Sequence, residues 1–200
     1  MKLNIKPRIR VINLDRSSQR LKLWRERRFL YWDRIPAVDG RSLDRSKVKL
    51  DAYRSLKKGE IGAWLSHRRA MATISTVGII CEDDANITPE FWPEYFRVLK
   101  TAPKDWDILA FGATRLWRKK YQHLGKLVSV NDDWDQVNGH LYGCHCYLIN
   151  KRAVDKFLSD DTMRAPPDVD IFMKNKTYLV KHDIATQLRL GSTTQNLKNN

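Results

Sequence analysis

Short apolar runs alternate with longer stretches of helical periodicity along most of this chain, and few folds accommodate that order. Residues 8–14 carry β-branched Ile9, Val11 and Ile12 and read as a buried first strand. Residues 19–28, with Leu21, Leu23 and Trp24, read as a helix, and residues 29–35 as a second strand. Residues 42–53 are polar and fit neither period. In residues 60–74, Ile61, Trp64, Leu65, Met71 and Ile74 form a helical stripe. Residues 77–81 are a short apolar run of the buried-strand kind, and 83–86 a turn. Thr88 as N-cap and Pro89 at the first helical position predict a helix to about residue 100.

The second half is less regular. Strands are predicted at 106–111, 141–149 and 178–182, with an edge strand at 126–130. Asn150 caps a helix over 151–158, and residues 166–168 open a short one over 169–174. Strand–helix–strand alternation followed by hairpins implies an α/β fold, with a mixed, mostly parallel central sheet flanked by helices. One domain over residues 1–190 with a polar tail at 191–200 is the economical division.

Composition narrows the class. Hydrophobic residues make up 42% of the 200, which excludes a disordered chain. Lys and Arg number 37 against 23 acidic residues, a net charge of +14. Such an excess suits a nucleotide, an anionic membrane surface or nucleic acid. The basic residues are spread out, without a long tail, which weakens the nucleic-acid reading. Three cysteines make no disulfide framework. Cys144-His145-Cys146 lacks zinc-ligand spacing, and strand alternation would put the two cysteines on one face with His145 on the other. No apolar run approaches the roughly twenty residues of a spanning helix. A cytoplasmic protein, peripheral to a membrane at most, is expected.

The chemistry centres on Glu82-Asp83-Asp84. Adjacent carboxylates repel, and a folded chain tolerates them best around a cation. They follow a buried strand, and open α/β sheets bind ligands at the carboxyl ends of strands. Oxygen ligands suit Mn²⁺ or Mg²⁺, ions that bridge to substrate phosphates. The competing reading, an exposed acidic turn before a helix, explains neither the buried strand nor the placement.

Five segments stand out together: Val11-Ile12-Asn13-Leu14-Asp15-Arg16 with Arg20, Ile35-Pro36-Ala37-Val38-Asp39-Gly40, Lys58-Gly59-Glu60-Ile61-Gly62-Ala63-Trp64-Leu65-Ser66-His67, residues 79–84 and residues 142–153. In these the chain resembles glycosyltransferase family 25, the group of bacterial lipooligosaccharide and collagen galactosyltransferases. The resemblance implies a GT-A-like fold, a UDP-sugar donor, Mn²⁺ or a similar ion, and inversion at the anomeric carbon. It implies that Asn13, Leu14, Asp15 and Arg16 line the nucleotide pocket. Glu82 and Asp84 would hold the metal, with His182 as a candidate third ligand, and Asp83 would contact the sugar or ribose. The residues themselves offer Arg16 or Arg20 to phosphate and Val38, Asp39, Glu60 and Ser66 to the donor side, while His67 either bonds the donor or satisfies a buried carboxylate. Gln187 and Ser192 match a late Gln and Ser of the family.

Inversion needs a general base, for which Asp168 and Asp170 are the candidates, Asp170 being preferred. The acceptor expected is a glycan, lipid-linked glycan or glycoprotein, with no nucleic-acid partner. The alternatives are a metal-dependent nuclease or phosphatase, which needs a second acidic cluster, and an inactive nucleotide-sugar-binding protein.

Overall fold

The computed structural model describes residues 6–51, 55–114 and 124–188. Ten strands appear among them: β1 (Ile9–Asn13), β2 (Trp32–Pro36), β3 (Val77–Glu82), β4 (Ala85–Asn86), β5 (Ile108–Ala110), β6 (Gly125–Ser129), β7 (Trp134–Gly139), β8 (Cys146–Asn150), β9 (Thr177–Val180) and β10 (Thr186–Gln187). The helices are α1 (Ser18–Glu26), α2 (Lys58–Met71), α3 (Phe91–Leu99), α4 (Lys151–Ser159) and α5 (Pro167–Met173). One 3-10 turn, Gly40–Ser42, leads into the polar stretch that fitted neither period, and a second, Arg45–Lys47, lies within it.

Eight strands form one sheet in the order β2-β1-β3-β8-β5-β9-β7-β6, and β10 pairs with β4 alone. The pairings β1–β2, β1–β3 and β5–β9 are parallel; those of β8 and β7 with their neighbours are antiparallel. Six of the eight strands therefore run the same way, and the two reversed ones interrupt them. The arrangement is α/β, a mixed sheet, its strands mostly parallel, flanked by helices.

Residue alternation builds two cores, one on each face of the sheet. Ile80, Ile108, Ala110, Tyr147, Ile149 and Leu179 face one side, where Ile61, Trp64 and Met71 of α2, Phe157 of α4 and Phe172 of α5 cover them. Ile9, Val11, Ile79, Cys81, Leu109, Cys146 and Leu148 face the other, under Trp24 of α1 and Phe91, Tyr95 and Val98 of α3. Strands buried on both faces lose the apolar–polar alternation of a solvent-facing sheet, which is why they read as continuous runs.

Local chemistry sets the element ends. The Asn150 side chain accepts from Ala153 N at 2.9 Å and starts α4, as expected of an N-cap. α3 starts later than predicted. Thr88, Pro89 and Glu90 form a turn closed by Phe91 N donating to Thr88 O, and the helix follows it. β8 also starts late, at Cys146, because the chain turns at Gly143 with φ +97°. That turn overturns the expected cysteine placement: Cys144 lies in the α2-side core and Cys146 in the α1-side core. Cys81 and Cys146 meet across β3–β8 with sulfurs 3.4 Å apart as free thiols. Among the described residues no helix is long and apolar enough to cross a membrane.

Candidate functional site

Glu82 closes β3, and its backbone N–H donates to His145 O on β8's approach. Strand alternation then separates the triplet. Glu82 turns to the α2 side and Asp83 to the α1 side.

Asp83 is 8% exposed, with both carboxylate oxygens occupied. Oδ1 accepts from Arg20 Nη1 and Oδ2 from Asn13 Nδ2, each at 2.7 Å. Its carbonyl accepts from Trp24 Nε1 at 2.9 Å. Burial raises its carboxyl pKa, against the pull of Arg20 and Asn13. The expectation that Asp83 meets the sugar or ribose thus finds a carboxylate already engaged in tying α1 to the end of β3.

Asp84 differs. Its Oδ2 accepts from Gln187 Nε2 at 3.1 Å and lies 3.5 Å from Arg20 Nη1. Its Oδ1 is buried with no hydrogen-bond partner. Burial, then the charge of Glu82, pushes its carboxyl up to about 7. Such an orphaned oxygen costs about 1–3 kcal/mol unless something satisfies it, and a divalent cation would. Behind it the chain is locked: Leu188 N donates to Asp84 O at 2.7 Å, and β10 pairs with β4 next to the triplet.

Glu82 Oε1 lies 3.4 Å from His67 Nε2 and 3.5 Å from Cys144 Sγ. Burial pushes this carboxyl up, but His67 and Cys144 outweigh it and the net shift is downward. His67 is 1% exposed, and its Nδ1 sits 2.9 Å from Tyr147 Oη. Burial raises the Cys144 thiol well above its usual value.

The loops after β1 and β2 enclose the other side. Asn13 Oδ1 accepts from Arg34 Nε at 3.0 Å, and Asp15 pairs with Arg34. Arg16 pairs with Asp39 at 2.5 Å, and Asp39 caps the 3-10 turn through Arg41 N. Leu14 is half-buried between them. Arg16, Ser17, Ser18, Gln19 and Arg20 line a cavity of about 310 Å³ at the N-terminus of α1, a place where backbone N–H groups favour anions. Ser66 Oγ accepts from Val38 N at 2.8 Å, pinning that loop to α2. Glu60 instead accepts from Lys57 N at 2.8 Å, at the start of α2.

The two base candidates part company. Asp170 is 3% exposed, and its Oδ2 accepts from Trp64 Nε1 at 2.7 Å and Lys174 Nζ at 3.1 Å. Asp168 is half-buried, and its oxygens accept from the backbone N–H groups of Gly143 and Val169, each at 3.0 Å. Burial pushes its carboxyl up to about 6 despite the Gly143 bond, and the charge of Glu82 adds to the rise.

His182 does not join the triplet. It is exposed, beside Asp133 and beyond the end of β9. β9 stands three places from β3 in the sheet, or about 14 Å at ~4.8 Å per strand. That exceeds the reach of a shared ligand set. Ser192 and the 191–200 tail lie outside the described residues. Residues missed in the sequence reading are Cys144, Tyr147, Gly143 and Arg34. Arg34 comes from β2, and Gly143, Cys144 and Tyr147 from β8 and the turn before it; their partners lie far away in sequence, so no local spacing announces them.

No family profile matches the chain. Among curated proteins, a glycosyltransferase 25 family member of Drosophila pseudoobscura pseudoobscura is 32% identical over 127 residues, covering 53% of this chain and 20% of that protein. Procollagen galactosyltransferase 1 of Danio rerio is 28% identical over 193 residues, covering 82% of this chain and 30% of that protein. The chain is similar to family 25 glycosyltransferases. It spans less than a third of the length of these relatives. Among solved structures, A197 from STIV aligns over 90% of this chain and 83% of its own, with a TM-score of 0.46 and 12% identity.

Proposed function

We propose that this chain is a metal-dependent, inverting glycosyltransferase that moves a hexose, galactose or glucose by default, from a UDP-sugar to a hydroxyl of a glycan, lipid-linked glycan or glycoprotein. The observation that carries the reading is Asp84: a buried carboxylate with an orphaned oxygen, at the carboxyl end of β3, beside Glu82. Similarity to the two named transferases supports the reaction class.

Glu82 and Asp84 offer oxygen ligands suited to Mn²⁺ or Mg²⁺. When bound, such an ion supplies Lewis-acid stabilisation of charge growing on a departing diphosphate. The cavity lined by residues 16–20 takes the anionic part of the donor, with Arg16 and the α1 N-terminus supplying positive potential. Asp83 holds Arg20 and Asn13 in place around it.

For the base we assign Asp168 rather than Asp170. Asp170 is enclosed by Trp64 and Lys174, whereas Asp168 is half-buried with a raised carboxyl. A general base is most effective when its pKa approaches the working pH.

Thermal denaturation with a panel of nucleotide sugars, with and without Mn²⁺, tests the reading. A Mn²⁺-dependent stabilisation by UDP or a UDP-sugar, lost in Asp84→Ala, is expected. Stabilisation by DNA and by no nucleotide sugar would overturn it.

A further inference from the structure

Three potential ligand atoms from three elements meet beneath the triplet: His67 Nε2 from α2, Glu82 Oε1 from β3, and Cys144 Sγ from the turn before β8. Their separations are 3.4 Å (N to O), 3.3 Å (N to S) and 3.5 Å (O to S). The two sulfur contacts are ordinary lengths for thiol hydrogen bonds, but the His67–Glu82 contact is long for its type. A histidine–carboxylate bond normally closes to about 2.7–2.9 Å, and nothing covalent holds these two side chains apart.

A metal ion accounts for the spacing. Zinc bonds of about 2.0–2.1 Å to nitrogen, 2.0–2.2 Å to oxygen and 2.3 Å to sulfur, at a tetrahedral angle, place the ligand atoms about 3.3–3.7 Å apart. All three observed edges agree to within about 0.3 Å of that geometry. We propose that His67, Glu82 and Cys144 form a three-ligand site for a thiophilic divalent ion of the Zn²⁺ class.

The surroundings suit it. Tyr147 Oη lies 2.9 Å from His67 Nδ1, so it can accept a hydrogen bond from Nδ1–H and leave Nε2 with its lone pair toward the ion. An outer partner of this kind commonly fixes the tautomer of a ligating histidine. The Tyr147 and His67 rings also stack, with centroids 5.8 Å apart, which holds the imidazole plane. His67 and Cys144 are buried, while the Glu82 side chain is 28% exposed. The fourth coordination position therefore opens on the Glu82 side, toward the crevice, for water or an incoming anionic oxygen. A sulfur–nitrogen–oxygen set favours Zn²⁺ and Co²⁺ over Mn²⁺ and Mg²⁺. The site shares Glu82 with the transferase reading but does not rest on it, since Oε1 belongs to this triangle and Oε2 remains for an ion at Asp84.

Co²⁺ titration of the wild-type protein provides the test, read by thiolate-to-cobalt charge-transfer absorption. A band saturating at one equivalent is expected, abolished by Zn²⁺ and untouched by Mn²⁺ or Mg²⁺. Cys144→Ser should remove the band and weaken Zn²⁺ binding by about 100-fold or more, while Cys146→Ser keeps the band. Tyr147→Phe should weaken binding by roughly 10–100-fold, as loss of an outer partner does. Absence of the band in the wild type overturns the proposal whatever the variants do, and so does a band that survives in Cys144→Ser. The Mn²⁺-dependent response to UDP-sugars is read separately on the same wild-type protein, so failure of either idea leaves the other standing.

Discussion

Asp84 concentrates the electrostatic cost of the site. Its carboxyl is raised by burial and by Glu82 to about 7, from an ordinary 3.8. The folded metal-free protein thus holds a proton there that the unfolded chain releases. Its stability is intact below the unfolded pKa and is lost as pH rises through the folded one. Asp84→Asn should therefore stabilise the metal-free protein at pH 8, by on the order of 1–3 kcal/mol. The gain should vanish near pH 4, and denaturant melts at the two pH values measure it. Asp168 makes the other residue-level prediction. Asp168→Asn should keep Mn²⁺-dependent donor binding and lose transfer by about 100-fold or more. Since only the ionised base works, wild-type transfer should fall as pH drops through about 6, the level to which burial pushes this carboxyl. Asp170→Asn should instead lower stability with transfer per folded molecule retained; the reverse pattern would return the base to Asp170. The triplet was legible from its order in the chain, because strand-end carboxylates are a local pattern. Cys144 was not, since its partners lie 77 and 62 positions away.

Among the elements, α2 does most to shape the crevice. Its first turn presses on the loop after β2 so closely that a Cβ at Gly62 would lie 2.7 Å from Val38 O, and one at Gly40 2.4 Å from Lys58 O. Both contacts are backbone, so neither can be relieved by a side-chain rotation. Gly62→Ala should cost about 1–3 kcal/mol through forced overpacking. It should also weaken nucleotide-sugar binding by displacing the Val38 N to Ser66 Oγ bond; chemical denaturation and ligand titration read the two effects independently. The helix itself was visible in the sequence through Ile61, Trp64 and Met71, all of which the structure buries. β7 was not: only Trp134 and Val137 of its six residues are buried, a spacing that matches neither alternation nor a buried run. The pairs β4 and β10, two residues each, are too short for any period, and tertiary contact alone creates them.

At the scale of the whole molecule, the sheet explains why the class was legible and the ligand set was not. Double burial made β1, β3, β5 and β8 conspicuous, and the intervening helices announced an α/β fold. Strand order is a different kind of information. β9 follows β8 in the chain, yet β5 lies between them, and that insertion carries His182 away from Glu82. Charge acts at this scale too. A net +14 repels itself at low ionic strength and favours polyanionic ligands.

The hydrogen bonds from Gln187 and Leu188 to Asp84 join positions about a hundred residues apart. Contacts of such long sequence separation form late, because loop closure must precede them. During synthesis, the crevice cannot be completed until the last described residues have left the ribosome, long after β1 to β3 have emerged. Ligand competence should therefore trail compaction. In refolding from denaturant, tryptophan fluorescence should recover first and Mn²⁺-dependent nucleotide binding in the slowest phase. Simultaneous recovery of the two would show that the closing strand pair is not the final step.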